Sequence, residues 1–308
     1  MDSSDQAGAD PGPAPHEPPD GPDGARVELV SPVGPPGSLG RPRSAAIGPL
    51  DPRRADLPLT DRDISALAFI GCSQEAAQYQ VHEAVFPGLG EAVVSRRIRK
   101  LAARGLLAIE RWNKVGINRL RLRTAGCDAV LARKGARDDE LFVLRAPLAQ
   151  SAVAHHLWIV DCRIIMEQLA SPPTSVQPAW ALERRWNPRP ASIPDLLAIW
   201  RPSLSSPGQM LAIEIDIGTE PIRRVLIPRL AALSETLLPF SGGAPVFVSV
   251  LTKGWRRVTT ITAAVQAASL PLPVVVDALP SLSGRPALSA LRALLTPGAK
   301  SSVHSSGD

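Results

Sequence analysis

The chain has few cysteines, and they do not form any recognisable pattern. Its 308 residues include three, Cys72, Cys127 and Cys162, which are odd in number, widely spaced and without a C-x-x-C pair. This spacing argues against a disulfide framework and against a cysteine-based metal site. We therefore interpret all three residues as buried, reduced thiols.

Long apolar runs are also missing. No uninterrupted apolar stretch reaches the roughly 18–20 residues that are needed to span a bilayer. The N-terminus is acidic and rich in proline, and it lacks the basic start and apolar run of a secretory signal. We therefore expect a cytoplasmic protein with no membrane partner.

Apolar residues are sparse at both ends of the chain. Many of the 32 prolines precede Leu59, in a segment with almost no periodic apolar residues. Such a segment cannot bury enough surface to offset its ordering entropy. We predict that residues 1–56 form a disordered, proline-rich arm and that residues 297–308 form a disordered tail.

Acidic residues are nearly absent between Val93 and Arg123, where Glu110 is the only one. The same stretch contains ten basic side chains, and this excess of positive charge is typical of a phosphate-binding face. The candidate DNA-binding residues from this stretch are Arg96, Arg97, Arg99, Lys100, Arg104, Lys114, Arg119, Arg121 and Arg123.

The pattern around this basic stretch predicts a winged helix-turn-helix over residues 57–135. Three helices are expected, the first starting at the hydroxyl cap of Thr60, the second running from Ser73 to about Phe86, and the third lying at about 91–104. In the third helix, Val94, Ile98 and Leu101 share one stripe, while the basic residues lie on the opposite side. Two strand-like runs and a helix that opens at Thr124 follow.

In a winged helix the third helix enters the major groove and the hairpin contacts the backbone. Charge runs on their own usually indicate no more than a solvated surface. The helix order, the hairpin and the near absence of acids together favour binding to double-stranded DNA. Most of these contacts would be to phosphate, which positions a protein without specifying a sequence.

The second half of the chain predicts an α/β domain over residues 147–296, so the fold class is α/β (α+β). A helix is expected over 151–170, and it is followed by three consecutive strands that suggest an antiparallel meander. Helices then alternate with strands. The expected strands are 180–186, 193–200, 210–217, 246–251 and 272–276, and the expected helices that follow the meander are 221–238, 254–268 and 288–295.

Acidic residues occupy particular positions on these strands. Asp195 follows Pro194 near the start of one strand, and Glu214 and Asp216 lie two residues apart on the next. Residues two apart on a strand project from the same face. Carboxylates on an otherwise apolar strand cost free energy unless they bind a cation, form an ion pair or reach solvent. These residues are therefore candidates for a functional site.

The order of a winged helix, a helix opening with His155, Glu183, Pro194-Asp195 and the run at 214–220 resembles the plasmid replication-relaxation family. The most specific element is Glu-x-Asp-x-Gly-Thr-Glu at 214–220, and the resemblance covers residues from about 57 to 280. It implies a role in plasmid replication or in DNA processing on mobile elements. It also implies a C-terminal domain of the restriction-endonuclease-like, PD-(D/E)xK nuclease fold.

Nucleases of this fold bind one or two Mg²⁺ ions through an aspartate and a glutamate, and a nearby lysine orients or activates the attacking water. The resemblance implies that Asp195 and Glu214 are metal ligands, with Glu183 as an outer ligand, and that Asp195, Glu214 and Asp216 are the catalytic candidates. Asp216 stands at the lysine position, which departs from the active nuclease pattern.

Two further positions depart from the family pattern. Arg229 stands where the family has a lysine; arginine is able to hold a phosphate but is a poor base. Ile193 replaces the usual arginine before Pro-Asp, and the tyrosine expected on the next helix is missing. The only tyrosine, Tyr79, lies in the predicted winged helix, so a tyrosine nucleophile is not expected. His155 is interpreted as a packing or hydrogen-bonding residue.

Three functions remain open from the sequence. The first is a DNA-binding protein of plasmid or mobile-element replication, with a degenerate nuclease-like domain and with replication proteins as partners. The second is a Mg²⁺-dependent DNA nuclease or nickase that uses Asp195, Glu214 and Asp216. The third is a winged-helix transcriptional regulator. A homodimer is common for winged-helix proteins, although no coiled-coil heptads support one here.

Overall fold

A computed structural model describes residues 58–112, 116–134, 141–144, 146–169, 171–201, 208–218 and 220–280, and these residues belong to a single compact unit. The predicted disordered segments at 1–56 and 297–308, the helix at 288–295 and Lys114 lie outside the described residues. The fold is mixed α/β with helices and two sheets, which confirms the predicted class. Among the described residues, no helix combines the length and apolarity that crossing a bilayer requires.

The first sheet is a three-stranded antiparallel sheet surrounded by helices. The elements are α1 (Asp61–Cys72), β1 (Glu75–Ala77), α2 (Gln78–Val85), α3 (Glu91–Ala103), β2 (Leu107–Trp112), β3 (Ile117–Leu122) and α4 (Thr124–Lys134). The strand order is β1-β3-β2, and β2 and β3 form a hairpin. The Thr60 hydroxyl caps α1 as predicted, accepting from the Asp63 N–H, and the Asp63 carboxylate in turn accepts from the Thr60 N–H, which completes a capping box.

The prediction that Ser73 starts the second helix was wrong. Its N–H donates to the carbonyls of Phe69 and Ile70, so Ser73 ends α1 instead. Gln74 then adopts a positive φ of 61°, which redirects the chain into the short strand β1. A three-residue strand is too short to show a period in sequence, and for that reason the pattern did not indicate it.

The apolar stripe of α3 packs into the core of this region. Val94, Ile98 and Leu101 are all buried, as their spacing predicted. The helix ends at Arg104, and Gly105 follows with a φ of +74°, a left-handed conformation that glycine adopts without steric cost.

Gly126 in α4 lies so close to the start of β2 that an added Cβ would be 2.1 Å from the Leu106 carbonyl oxygen.

The second sheet has five strands. The elements of this region are α5 (Gln150–Glu167), β4 (Ser175–Pro178), α6 (Ala179–Arg185), β5 (Leu196–Trp200), β6 (Gln209–Asp216), a π-helix (Ile222–Leu226), α7 (Ile227–Phe240), β7 (Val246–Lys253), α8 (Trp255–Ala268) and β8 (Val274–Leu279). The strand order is β4-β5-β6-β7-β8. β4, β5 and β6 pair antiparallel, whereas β6, β7 and β8 are parallel, so a meander opens the sheet as expected. Helix α7 connects β6 to β7, and α8 connects β7 to β8.

The first strand of this meander was predicted in the wrong place. Residues 180–186 form helix α6, and the first strand is β4 instead. The large apolar residues Trp180 and Leu182 lie two apart, which is also the spacing of one face of a strand. A helix of seven residues is too short for its 3.6-residue period to outweigh that spacing.

A buried polar junction joins α2 to α5. The Tyr79 hydroxyl donates to the Asp161 carboxylate at 2.9 Å, and the Gln80 amide donates to the same carboxylate at 2.7 Å. His156 Nε2 lies 2.8 Å from the Ser73 carbonyl oxygen. Burial raises the pKa of Asp161 to about 7 and lowers the pKa of His156 to about 4. The regions of the two sheets are therefore connected through buried and partly buried hydrogen bonds.

Candidate functional site

Helix α3 carries an exposed basic face. Arg96, Arg99 and Lys100 are spaced three and four residues apart, so they lie on one side of the helix, and all three are exposed. Within the described part of the chain, none of the three has a carboxylate at ion-pair distance. We call these three residues the α3 basic face. Arg123, at the end of β3, is exposed as well.

Other predicted DNA-binding residues have structural partners. Arg97 donates to the Asp63 carboxylate at 2.5 Å and contacts the Thr60 hydroxyl, and therefore ties α3 to the capping box of α1. Arg104 is partly buried at the end of α3. Of the predicted set, only Arg96, Arg99, Lys100 and Arg123 are exposed in the described structure.

Arg119 and Arg121 on β3 point away from solvent, contrary to the expectation of a DNA-contacting wing. Arg119 Nη1 lies 3.2 Å from Glu75, and Arg121 Nη2 lies 2.7 Å from Glu110. The Arg119 side chain is only 3% exposed. The alternation of leucine and arginine on β3 was predicted correctly, but the arginine face is covered because β1 places Glu75 opposite Arg121. These two arginines do not belong to an exposed basic surface.

The second candidate site is a group of acidic and basic side chains beside β6. His155 Nε2 lies 3.0 Å from the Asp195 carboxylate, whose Oδ2 also accepts from the Ile215 N–H at 2.7 Å. Arg229 on α7 donates to Glu214 and, at 3.2 Å, to Glu220. We call His155, Asp195, Glu214, Glu220 and Arg229 the carboxylate cluster.

The carboxylate cluster has unusual protonation equilibria. Burial and the neighbouring Asp195 raise the pKa of Glu214 to about 8, although Arg229 opposes this rise. Burial lowers the pKa of Arg229, but Glu214, Asp195 and Glu220 outweigh it and keep that pKa above its ordinary value. Burial also lowers the pKa of His155, and the hydrogen bond to Asp195 reverses this effect, so the net pKa is raised. The cluster therefore contains its own positive charge.

Asp216 belongs to a different set of contacts. Its carboxylate is held by the Arg257 guanidinium, by the Thr252 hydroxyl at 2.8 Å and by the Gly218 N–H at 3.0 Å. Burial raises the pKa of Asp216, but these three donors outweigh it and bring the pKa below its ordinary value. Although Glu214 and Asp216 lie on one strand, they therefore have separate cationic partners.

The carboxylates that the sequence resemblance assigned to a Mg²⁺ site have partners within the protein. Glu183 lies on α6 rather than on a strand, and it pairs with Arg189 at 2.6 Å. In the described residues, no group of three or more His, Cys, Asp or Glu side chains is arranged to hold a metal ion. The Arg229 guanidinium contacts Glu214 directly and opposes the rise in the pKa of that carboxyl. Arg229, which was predicted to hold a phosphate, is occupied by Glu214 and Glu220.

Sequence reasoning missed several members of these networks. Glu220 stood out only as part of the 214–220 run, and Thr252 and Arg257 were not identified. The pairing of β6 with β7 places Thr252 beside Asp216, and Arg257 follows on α8. The sequence did contain one signal for the contact between Glu220 and Arg229, because these opposite charges lie nine residues apart around the start of a predicted helix. No local pattern identifies Arg257.

Comparison of the chain with protein-family models, with curated proteins and with solved structures found no match. The chain is therefore characterised by its fold and its two candidate sites. It is a mixed α/β protein with an exposed basic helix face and an internally neutralised carboxylate cluster.

Proposed function

We propose that this chain is a DNA-binding protein whose residues 58–134 act as a winged helix on duplex DNA. The observation that carries the proposal is the α3 basic face, with Arg96, Arg99 and Lys100 exposed together on the third helix before a β-hairpin. Third helices of this kind enter the major groove, and arginine and lysine neutralise phosphates there. The wing makes a smaller contribution, because Arg119 and Arg121 are internal.

We also propose that residues 147–280 are a restriction-endonuclease-like domain that has lost nuclease activity. The order of α5, the β4-β5-β6 meander, α7 and β7 supports this reading, as does the proximity of Asp195, directly before β5, to Glu214 on β6. Two residues support the loss of activity. Arg229 contacts Glu214, and Asp216 stands where active nucleases of this fold have the lysine that orients or activates water. The role in plasmid or mobile-element replication rests on the sequence resemblance.

The test measures duplex binding by fluorescence anisotropy across a salt series. The Arg96→Ala/Arg99→Ala/Lys100→Ala variant should bind more weakly, and the slope of log affinity against log salt should fall by about 0.9 for each phosphate that the variant no longer neutralises. A control with the same charge change is Arg133→Ala/Arg189→Ala/Arg201→Ala, which removes exposed arginines outside α3. Equal affinity and equal slope for both variants would refute the proposed interface.

A further inference from the structure

A second basic surface lies at the edge where β6 and β7 end. These strands are parallel, so the segments that follow them emerge at the same edge of the sheet. The π-helix Ile222–Leu226 follows β6, and α8 begins with Trp255 directly after β7. Arg257 joins the two segments, because its guanidinium contacts Asp216 and donates to the Glu220 carbonyl at 2.6 Å. The π-helix also packs against α8.

Trp255 is the exposed aromatic residue of this edge. Its side chain is 73% exposed, whereas the other five tryptophans of the chain are buried or partly buried. Leaving an indole ring in water forfeits the large apolar burial that tryptophan normally contributes. Packing among the described residues therefore does not explain the position of Trp255.

Four exposed basic side chains lie at this edge, two on the π-helix and two within two residues of Trp255. They are Arg223, Arg224, Lys253 and Arg256. Nowhere in residues 58–280, as far as these are described, does a carboxylate lie at ion-pair distance from any of the four. The neighbouring arginines Arg229 and Arg257 do have carboxylate partners. We call Trp255 and the four basic residues the Trp255 patch.

We propose that the Trp255 patch binds single-stranded nucleic acid, with a base stacked on the indole ring and with phosphates held by the four cations. Exposed aromatic rings beside positive charge are the combination by which proteins hold single strands without reading their sequence. A base within a duplex is covered by its neighbours on both faces and is not available to stack on Trp255. This site is separate from the α3 basic face and adds a second nucleic-acid activity to the proposed function.

The experiment uses the full chain carrying Arg96→Ala/Arg99→Ala/Lys100→Ala, so that the α3 basic face does not contribute to binding. Anisotropy is measured with a labelled 12-nucleotide oligothymidine and with an abasic strand of the same length. Trp255→Ala should weaken oligothymidine binding about fivefold to 150-fold, the range expected for one stacked base. Trp255→Phe should retain most of the affinity. Neither change should alter binding to the abasic strand.

Two further variants complete the test. Arg223→Ala/Arg224→Ala/Arg256→Ala should weaken binding to both strands, because these residues contact phosphate. Phe247→Ala removes another exposed aromatic residue, on β7, and should leave binding unchanged. Wild-type affinity of Trp255→Ala for oligothymidine would overturn the proposal, and so would an equal loss on the abasic strand. Either result leaves the α3 basic face untouched, because that surface is tested separately with duplex DNA.

Discussion

Replacing Arg229 with methionine tests whether this cation stabilises the carboxylate cluster. Methionine preserves much of the side-chain length but removes the charge that faces Glu214 and Glu220. Removing one partner of a buried ion pair typically costs about 3–5 kcal/mol of stability. We expect about 3 kcal/mol at about pH 8.5, where Glu214 is ionised, since the Glu214 side chain is 1% exposed while Arg229 remains 27% exposed. For a domain of this size that loss lowers the melting temperature by about 6–12 °C.

The loss should depend on pH. Burial and Asp195 raise the pKa of Glu214 to about 8 from an ordinary value of 4.5, so the folded chain retains a proton that the unfolded chain releases. The contribution of Glu214 to the unfolding free energy is therefore largest below about pH 4.5 and is lost as the pH rises from about 4.5 through about 8. Without Arg229 the ionised form is less favourable still, so the variant should lose less stability at about pH 5.5 than at about pH 8.5.

Urea denaturation followed by circular dichroism at the two pH values measures both effects. Arg224→Met is the control, because Arg224 is an exposed arginine on the adjoining π-helix. The reasoning would be refuted if Arg229→Met and Arg224→Met were equally stable at about pH 8.5. It would also fail if the Arg229 variant lost more stability at the lower pH.

Three other predictions concern activity and packing. Supercoiled plasmid incubated with the protein and Mg²⁺ should remain supercoiled on an agarose gel, and cleavage that is lost in Asp195→Ala/Glu214→Ala would contradict this. Burial raises the pKa of Asp161 to about 7, so the unfolding free energy of the wild type should fall between about pH 4 and pH 7. Asp161→Asn should flatten this fall, because the amide cannot ionise. An unchanged pH profile in urea denaturation would contradict this. Gly126→Ala should lower the unfolding free energy by about 1–3 kcal/mol, because the added Cβ would lie 2.1 Å from the Leu106 carbonyl oxygen. The control is Gly90→Ala, where the added Cβ meets open space and the loss should not exceed about 1 kcal/mol. Thermal unfolding measures both losses.

Features set by nearby residues could be predicted from the sequence. The helix cap at Thr60, the buried stripe of α3 and the presence of β5, β6 and β7, though not their exact ends, follow from spacings of two to four residues. The mixed α/β class follows from the order of those elements. Short elements were harder to predict, because α6 has only seven residues and β1 only three, too few to show a helical or strand periodicity.

The partners of the charged residues could not be predicted in the same way. Arg119 looked like a solvent-facing wing residue, and only the pairing of β1 with β3 places Glu75 against it across 44 positions of sequence. Arg257 meets Asp216 across 41 positions, after β7 has paired with β6. Electrostatic contacts of this kind depend on tertiary topology, so a run of arginines does not reveal which of them remain exposed.

The buried junction between α2 and α5 has a consequence for how a bound duplex would be oriented. Tyr79 and Gln80 both donate to Asp161, and α2 lies immediately before α3 in the chain. The position of α3 is thus linked through α2 to α5, which packs on the five-stranded sheet, rather than left to a flexible tether. Under the proposed function, a double helix bound to α3 would keep one orientation relative to that sheet.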